Sequence, residues 1–396
     1  MNHNRSRAER LVTQLMAIPG RSGEESAVAD FLLASLRQAG VPASAISHDN
    51  AHKKSPFGGQ RGNLIVKLPG VGDANAKSHA APRMLMAHMD TVPICVGSKP
   101  ARKGNVIRSA DPATGLGGDD RAGAAAILVA LLEILQQKLP HPPLTFLWCI
   151  QEEVGLIGAR HVDAKKLGKP AMAFNFDGGN PADATIGATG AYRMTIRIEG
   201  VAAHAGVHPE RGVSAIAIAS LAIADLQNRG WHGLIQQGNR TGTSNVGVYH
   251  AGAATNVVTE LAVLRAEARS HDAKFRKEIV AQFRQAFAAA AKQVKSASGK
   301  RGKVSFDITH DYESFRLDAN LPVVQAGDAA LKATGLTPNH RISNGGLDAN
   351  WMTEHGIPTV TFGVGQHDIH TVNEYLDVAE FHQGCEIALR LAVGKI

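Results

Sequence analysis

Two carboxylates stand side by side at Glu152 and Glu153, directly after the apolar run LTFLWCI (144–150). Other acids and histidines follow other apolar runs: His88 and Asp90 in MLMAHMDTVP, Asp177 in AFNFDGG, His367 and His370 in GQHDIHTVNEY. Asp119 and Asp120 occupy a glycine-rich stretch, GLGGDDRAG, just ahead of a long Ala- and Leu-rich segment. Carboxylates and imidazoles are ligands for divalent cations, and four or more acids with two histidines exceed what one four-coordinate zinc requires. Two cations about 3.5–4 Å apart, bridged by one carboxylate, use that number. Neighbouring residues on an extended backbone point in different directions. One of the paired glutamates can therefore bind a cation while the other stands free beside a water molecule and accepts its proton. Asp90, two residues from His88, shares a face with it if the strand persists, and can orient the ring from behind.

Each motif alone has a plainer reading. A buried histidine is commonly a hydrogen-bonded core residue, an Asp in a glycine turn caps its own turn, and paired Glu after a strand suits a helix start. The plain readings would have to hold independently at five strand ends, and the metal reading needs only one site.

These residues have to be positioned by a scaffold. The runs NLIVKL (63–68), MLMAH (84–88), LTFLWCI, AMAFNF (171–176) and TVTFGV (359–364) read as buried strands. Helical stretches lie between them, among them SAVADFLLASLRQAG (26–40) and RAGAAAILVALLEILQQ (121–137). Alternating strands and helices predict an α/β fold with a doubly wound, mostly parallel sheet, in which ligands gather beyond the carboxyl ends of the strands. The pattern changes near residue 188. AYRMTIRIEG (191–200) alternates apolar and polar residues, as an antiparallel strand wetted on one face does. A helix at about 211–228, a strand at 259–269, a helix at 272–296 and VSFDI (304–308) complete an inserted domain. The expected organisation is a first domain over 1–187 and 309–396, interrupted by a second over 188–308.

Composition narrows the function classes. With 396 residues, 44% hydrophobic and 19% charged, and no long apolar run, the chain reads as a soluble globular protein with no membrane span. Its amino-terminal segment is amphipathic rather than a continuous apolar leader, which points to the cytoplasm. Cys95, Cys149 and Cys385 are too few and too scattered for a disulfide framework or a thiolate metal site. The net charge of +7 and the basic stretch KQVKSASGKRGK (292–303) could attract polyanions. Without interleaved aromatics, in a chain only 5% aromatic, that stretch reads as a solvated helix end, and no nucleic-acid partner is expected.

The motifs MAHMDTVP, GGDDRAG, QEEVG, FDGG, GVAAHAG, ATNVV, RSHD, NGGLDAN and IHTVNEY, in this order over nearly the whole chain, resemble those of a known family. It is the two-zinc exopeptidases that include peptidase T, glutamate carboxypeptidase and succinyl-diaminopimelate desuccinylase, and the peptidase T-like branch is the nearest match. The resemblance implies a metallopeptidase acting on short peptides, similar to tripeptide aminopeptidases, with a ferredoxin-like α+β lid that also carries the homodimer contact. It further implies that His88 and Asp177 hold one metal, that Glu153 and His370 hold the other, and that Asp119 bridges them. Asp90 would then steady His88, and Glu152 would be the general base. By the same resemblance His204 reaches the partner subunit's active site to stabilise the oxyanion. Asn256, Arg269, Gly345 and Gly346 would grip the substrate's terminal carboxylate. The metals would be zinc, with manganese or cobalt as alternatives. Arg121, where lysine is frequent, and Leu347, where Thr or Ser is usual, depart from the pattern and bear on substrate preference. Two rival functions remain open at this point: an amidohydrolase of N-acyl or N-carbamoyl amino acids on the same two-metal site, and a non-catalytic peptide- or metal-binding protein.

Overall fold

Five apolar segments form the strands that matter for the site: β1 (Leu64–Leu68), β2 (Arg83–His88), β3 (Leu144–Cys149), β4 (Met172–Phe176) and β5 (Thr359–Phe362). They lie in a nine-stranded sheet in the spatial order β1-β3-β2-β4-β5. The pairs β3/β2, β2/β4 and β4/β5 are parallel. Towards the edges the sheet turns antiparallel, at β1/β3 and between β5 and Asp183–Ala188. Strands β2 to β5 are buried along their whole length, because the parallel centre is covered on both faces. Chain order and spatial order disagree at β2, which sits between β3 and β4, and the carboxyl ends of all three open on the same side.

The computed structural model describes residues 3–72 and 81–394, in two units: Met1–Gly187 with Arg316–Ser343 and Leu347–Ile396, and Ala188–Phe315 with Asn344–Gly346.

In the first unit the helix α1 (Gly118–Gln137) is buried from Gly118 to Ile134. It packs against the helices Arg5–Ala17 and Val378–Val393. Its first acids, Asp119 and Asp120, have non-helical backbone angles, so the regular helix begins just after them. Gly123 allows that start to press against the end of β4. A Cβ there would stand 1.8 Å from the Phe176 carbonyl and 2.4 Å from Asp120 Oδ1. Gly123→Ala should therefore lower unfolding stability by about 1–3 kcal/mol, the usual range for overpacking. The denaturant midpoint measures this, and an unchanged midpoint would contradict so close an approach. A small sheet, Gln366–His367, Tyr375–Asp377, Val106–Ser109 and Pro100–Lys103, anchors both ends of the loop that carries His370.

The second unit is a five-stranded antiparallel sheet in the order 233–237, 240–251, 261–270, 190–199, 303–312. Its helices are Ala215–Asn228 and Ala273–Gln293. Without the edge strand 233–237 the chain order is βαββαβ, the ferredoxin-like arrangement. The strand Gly190–Glu199 buries Met194, Ile196 and Ile198 and exposes Arg193, Thr195 and Arg197, as its alternation requires. These residues join Leu264, Phe275, Phe283 and Phe287 in a core of the unit's own.

Among the described residues no helix is long and apolar enough to cross a membrane. All three cysteines are free and buried.

Candidate metal centre

At the end of β2 the His88 ring is buried, with Nδ1 3.1 Å from the Asp90 carbonyl oxygen and 3.4 Å from Asp90 Oδ1. An imidazole nitrogen facing two oxygens carries its hydrogen, so Nδ1 is the donor. Nε2 then lies 3.2 Å from Asp119 Oδ1. The other oxygen of Asp119, Oδ2, is 3.1 Å from His370 Nε2, which is also 2.9 Å from Glu153 Oε1. Asp119 thus stands between two histidines, one oxygen turned to each. Two lone pairs at such distances repel unless a proton or a cation lies between them, and a cation takes the proton's place when it binds.

Burial opposes a charge on His88, but the Asp119 and Asp90 carboxylates prevail and hold its pKa well above the usual histidine range. Hydrogen bonds to Asp119 and Glu153 raise His370 to about 10. Burial acts against ionised Asp119, yet the bonds from His370 and His88 win and hold it below the ordinary carboxylate range. Asp177, following β4 and joined by its N–H to the Phe362 carbonyl at 3.0 Å, is pushed up to about 8 by burial and by the charge of Asp119. Burial also raises Glu152 well above the usual value; His88 opposes this, and Asp177, Asp348 and Glu153 add to it.

The paired glutamates are aimed by the turn that follows β3. Gln151 has φ of 52°, a left-handed conformation that non-glycine residues adopt at a cost. The turn brings the N–H groups of Glu152 and Glu153 to the Asp90 carboxylate, at 2.9 and 3.2 Å, where Ser22 Oγ also donates at 2.7 Å. Glu25 Oε1 accepts from Gly23 N and Gln151 N and fixes the same turn from the amino-terminal side. One buried acid, Asp90, therefore holds both the histidine ring and the backbone of the glutamate pair. Strand β2 ends at His88, so this placement comes from the turn beyond the strand and not from the two-residue strand period.

Donor atoms of His88, Asp119 and Glu153 lie within 4.8 Å of one another, as do those of His88, Asp120 and Asp177. Asp120 is better suited to capping, because its oxygens accept from His88 N and Gly123 N, both at 3.0 Å. The remaining set, an acid between two histidines with two further acids at its flanks, has the donor chemistry of a two-cation site.

The first unit thus brings together His88, Asp90, Asp119, Glu152, Glu153, Asp177 and His370. His367 does not join them; its ring pairs with Glu380 and stacks on Tyr375. The second unit carries the rest. His204 is exposed and its Nδ1 accepts from the N–H groups of Gly206 and Val207, closing its own turn. Asn256 is exposed, and its carbonyl accepts from Ala205 N at 2.9 Å. The Arg269 guanidinium is engaged through Nε and Nη2 by both carboxylate oxygens of Glu267, each at 3.0 Å. Gly346 lies against the Tyr312 ring, where a Cβ would stand 2.3 Å from a ring carbon, and Gly345 adjoins it in the same segment.

Three residues escaped the sequence reading. Glu374 is buried and accepts from Gly117 N at 2.7 Å and Asp119 N at 3.0 Å, which fixes the backbone of the central acid. Its place in IHTVNEY was the available signal. Asp348 is buried with its carboxyl pushed up to about 6 by desolvation. Gln366, a neutral amide, gave no signal at all.

A model of Peptidase family M20/M25/M40 matches residues 84–393. The uncharacterized protein YqjE of Bacillus subtilis (strain 168) is 31% identical over 331 residues, 83% of this chain and 84% of that protein. Two solved structures, each 31% identical and each covering 99% of this chain and 100% of their own, share the fold. They are aminopeptidase PepT from Bacillus cereus ATCC 10987, with a TM-score of 0.82, and a tripeptidase from Staphylococcus aureus subsp. aureus Mu50, with a TM-score of 0.85.

Proposed function

Because the chain belongs to the M20/M25/M40 peptidase family, we propose that it is a metal-dependent exopeptidase removing the amino-terminal residue from short peptides, tripeptides foremost. The observation that carries this reading is Asp119, with one carboxylate oxygen towards His88 and the other towards His370. In this reading His88 and Asp177 would hold one cation, Glu153 and His370 would hold the other, and Asp119 would serve both. The resident metal is zinc, with manganese or cobalt accepted by the same donors. Cations held there would supply the Lewis acidity that makes water a nucleophile near neutral pH.

The chain's own residues supply the remainder. Glu152 accepts a proton from the attacking water and returns it to the departing amine. Asp90 keeps the His88 ring in one tautomer and the glutamate turn in one orientation. His204 of the partner subunit steadies the oxyanion, which requires a homodimer formed through the second unit. Asn256, Arg269, Gly345 and Gly346 receive the substrate's terminal carboxylate, which must share Arg269 with Glu267. The protein works in the cytoplasm, where short peptides are its substrates.

The test is a panel of di- and tripeptides and N-acetyl amino acids, assayed before chelation, after it, and after zinc is restored. Tripeptide cleavage that disappears with chelation and returns with zinc is the expected result. Cleavage of N-acetyl amino acids alone would move the enzyme to amidohydrolysis. Zinc should reload more tightly at pH 8 than at pH 6, because Asp177, raised to about 8, and the histidines, His370 raised to about 10, hold protons that a cation must displace. Affinity independent of pH would contradict Asp177, His88 and His370 as ligands together.

A further inference from the structure

We infer that Gln366 is a positioning residue that fixes the spacing of the Asp119 and Asp177 carboxylates, so that both cation positions are set before any cation arrives. This rests on the proposed roles of those two acids as ligands. The Gln366 side chain is 2% exposed, and its Nε2 lies 3.2 Å from Asp119 Oδ1 and 3.0 Å from Asp177 Oδ1. An amide nitrogen has two hydrogens, and here they face two acids from separate parts of the chain.

The orientation of the amide follows from its neighbours. Reversed, it would turn a carbonyl oxygen on two carboxylate oxygens. As it stands, Oε1 is buried with no hydrogen-bond partner among the described residues. Leaving a buried acceptor unpaired is unfavourable, and the two bonds to acids on the other side of the amide offset it. The backbone is clamped to suit. Val364 N and Gly365 N donate to the carbonyls of Gly178 and Gly179, at 2.8 and 2.7 Å, directly after Asp177. On the other side a Cβ on Gly118 would stand 3.7 Å from Gln366 Cβ, directly before Asp119. The segment is thus held between the turns that carry the two acids.

The chemical type of the residue matters. A lysine in this place would neutralise the acids and compete with a cation for them. An amide bonds to one oxygen of each acid and leaves the site's negative charge intact. It also leaves Asp119 Oδ2 to His370.

The test compares wild type with Q366M, which keeps the length and loses the donor, and Q366E, which keeps the shape and adds a third acid. Each protein is stripped of metal and titrated with zinc by calorimetry, loaded with cobalt for its absorption spectrum, and melted with and without zinc. Wild type should take up two equivalents. Q366M should bind at least one of them about 10- to 100-fold more weakly, the usual effect of losing a partner to a metal ligand, with an altered cobalt spectrum. Metal-free Q366E should melt below metal-free wild type and recover when zinc is added, and it carries the test should Q366M fail to fold. A lowered melting point with zinc affinity within threefold of wild type and an unchanged cobalt spectrum would reduce Gln366 to packing and overturn the inference. Fewer than two equivalents on wild type would instead overturn the two-cation reading beneath it.

Discussion

Glu152→Gln, purified with its cations, should keep two metal ions per chain and lose about 10²–10⁴ of its turnover, the range that a positioned proton transfer contributes. The substitution preserves the shape of the side chain and the backbone N–H that donates to Asp90. Only the capacity to take a proton is removed. Glu152 adjoins Glu153, which touches His370, yet no histidine pairs with Glu152 among the described contacts. Burial holds its carboxyl well above the usual range. Metal content by atomic emission and kcat on a tripeptide are the two readouts. A variant that retains more than about a tenth of the wild-type rate would exclude Glu152 as the base, because removal of a general base is expected to exceed that loss.

Asp119→Asn should act on the cations themselves. The amide has the same outline, but it loses the negative charge and turns an N–H₂ group towards one of the two histidines. Zinc affinity should fall by more than the 100-fold that marks the upper range for partners one shell further out, and peptide hydrolysis should fall with it. A second signature follows from the protons. The Asp119 hydrogen bond is the largest cause of the raised His370 pKa, so the His370 titration in the metal-free variant should move down from about 10 towards the ordinary histidine value. Nitrogen NMR of the imidazoles would record it. Two zinc ions held with unchanged affinity would show that the acid between the histidines is not shared by them.

Much of this centre was legible in the sequence because the strands that build it are buried on both faces and so appear as unbroken apolar runs. Acids and histidines directly beyond such runs stand out, as His88, Asp177 and Glu152 do. The strand Arg240–Ala251 did not stand out, because RTGTSNVGVYHA is interrupted by Gly and small polar residues and lacks clean alternation. Its long pairing with Leu261–Ser270 makes it a strand, and that partner is remote from any local window. His367 and Gln366 show the same limit within one motif. The histidine attracted notice by its type and turned to Glu380, while the amide beside it reached both acids. Residue type identifies candidates, but direction depends on the turn that follows the strand.

The anchoring of the glutamate turn to Glu25, and through Asp90 to Ser22, has a consequence for how this catalyst can be adjusted. The Glu25 carboxyl accepts from Gln151 N in that turn directly, and the Ser22 hydroxyl reaches it through Asp90, which accepts from Glu152 N and Glu153 N. Because Glu153 stands in the same turn and Asp90 also faces the His88 ring, substitutions in that early bend should shift reaction speed and ion retention together, which ties the tuning of one to the other in any lineage adapting to a new temperature.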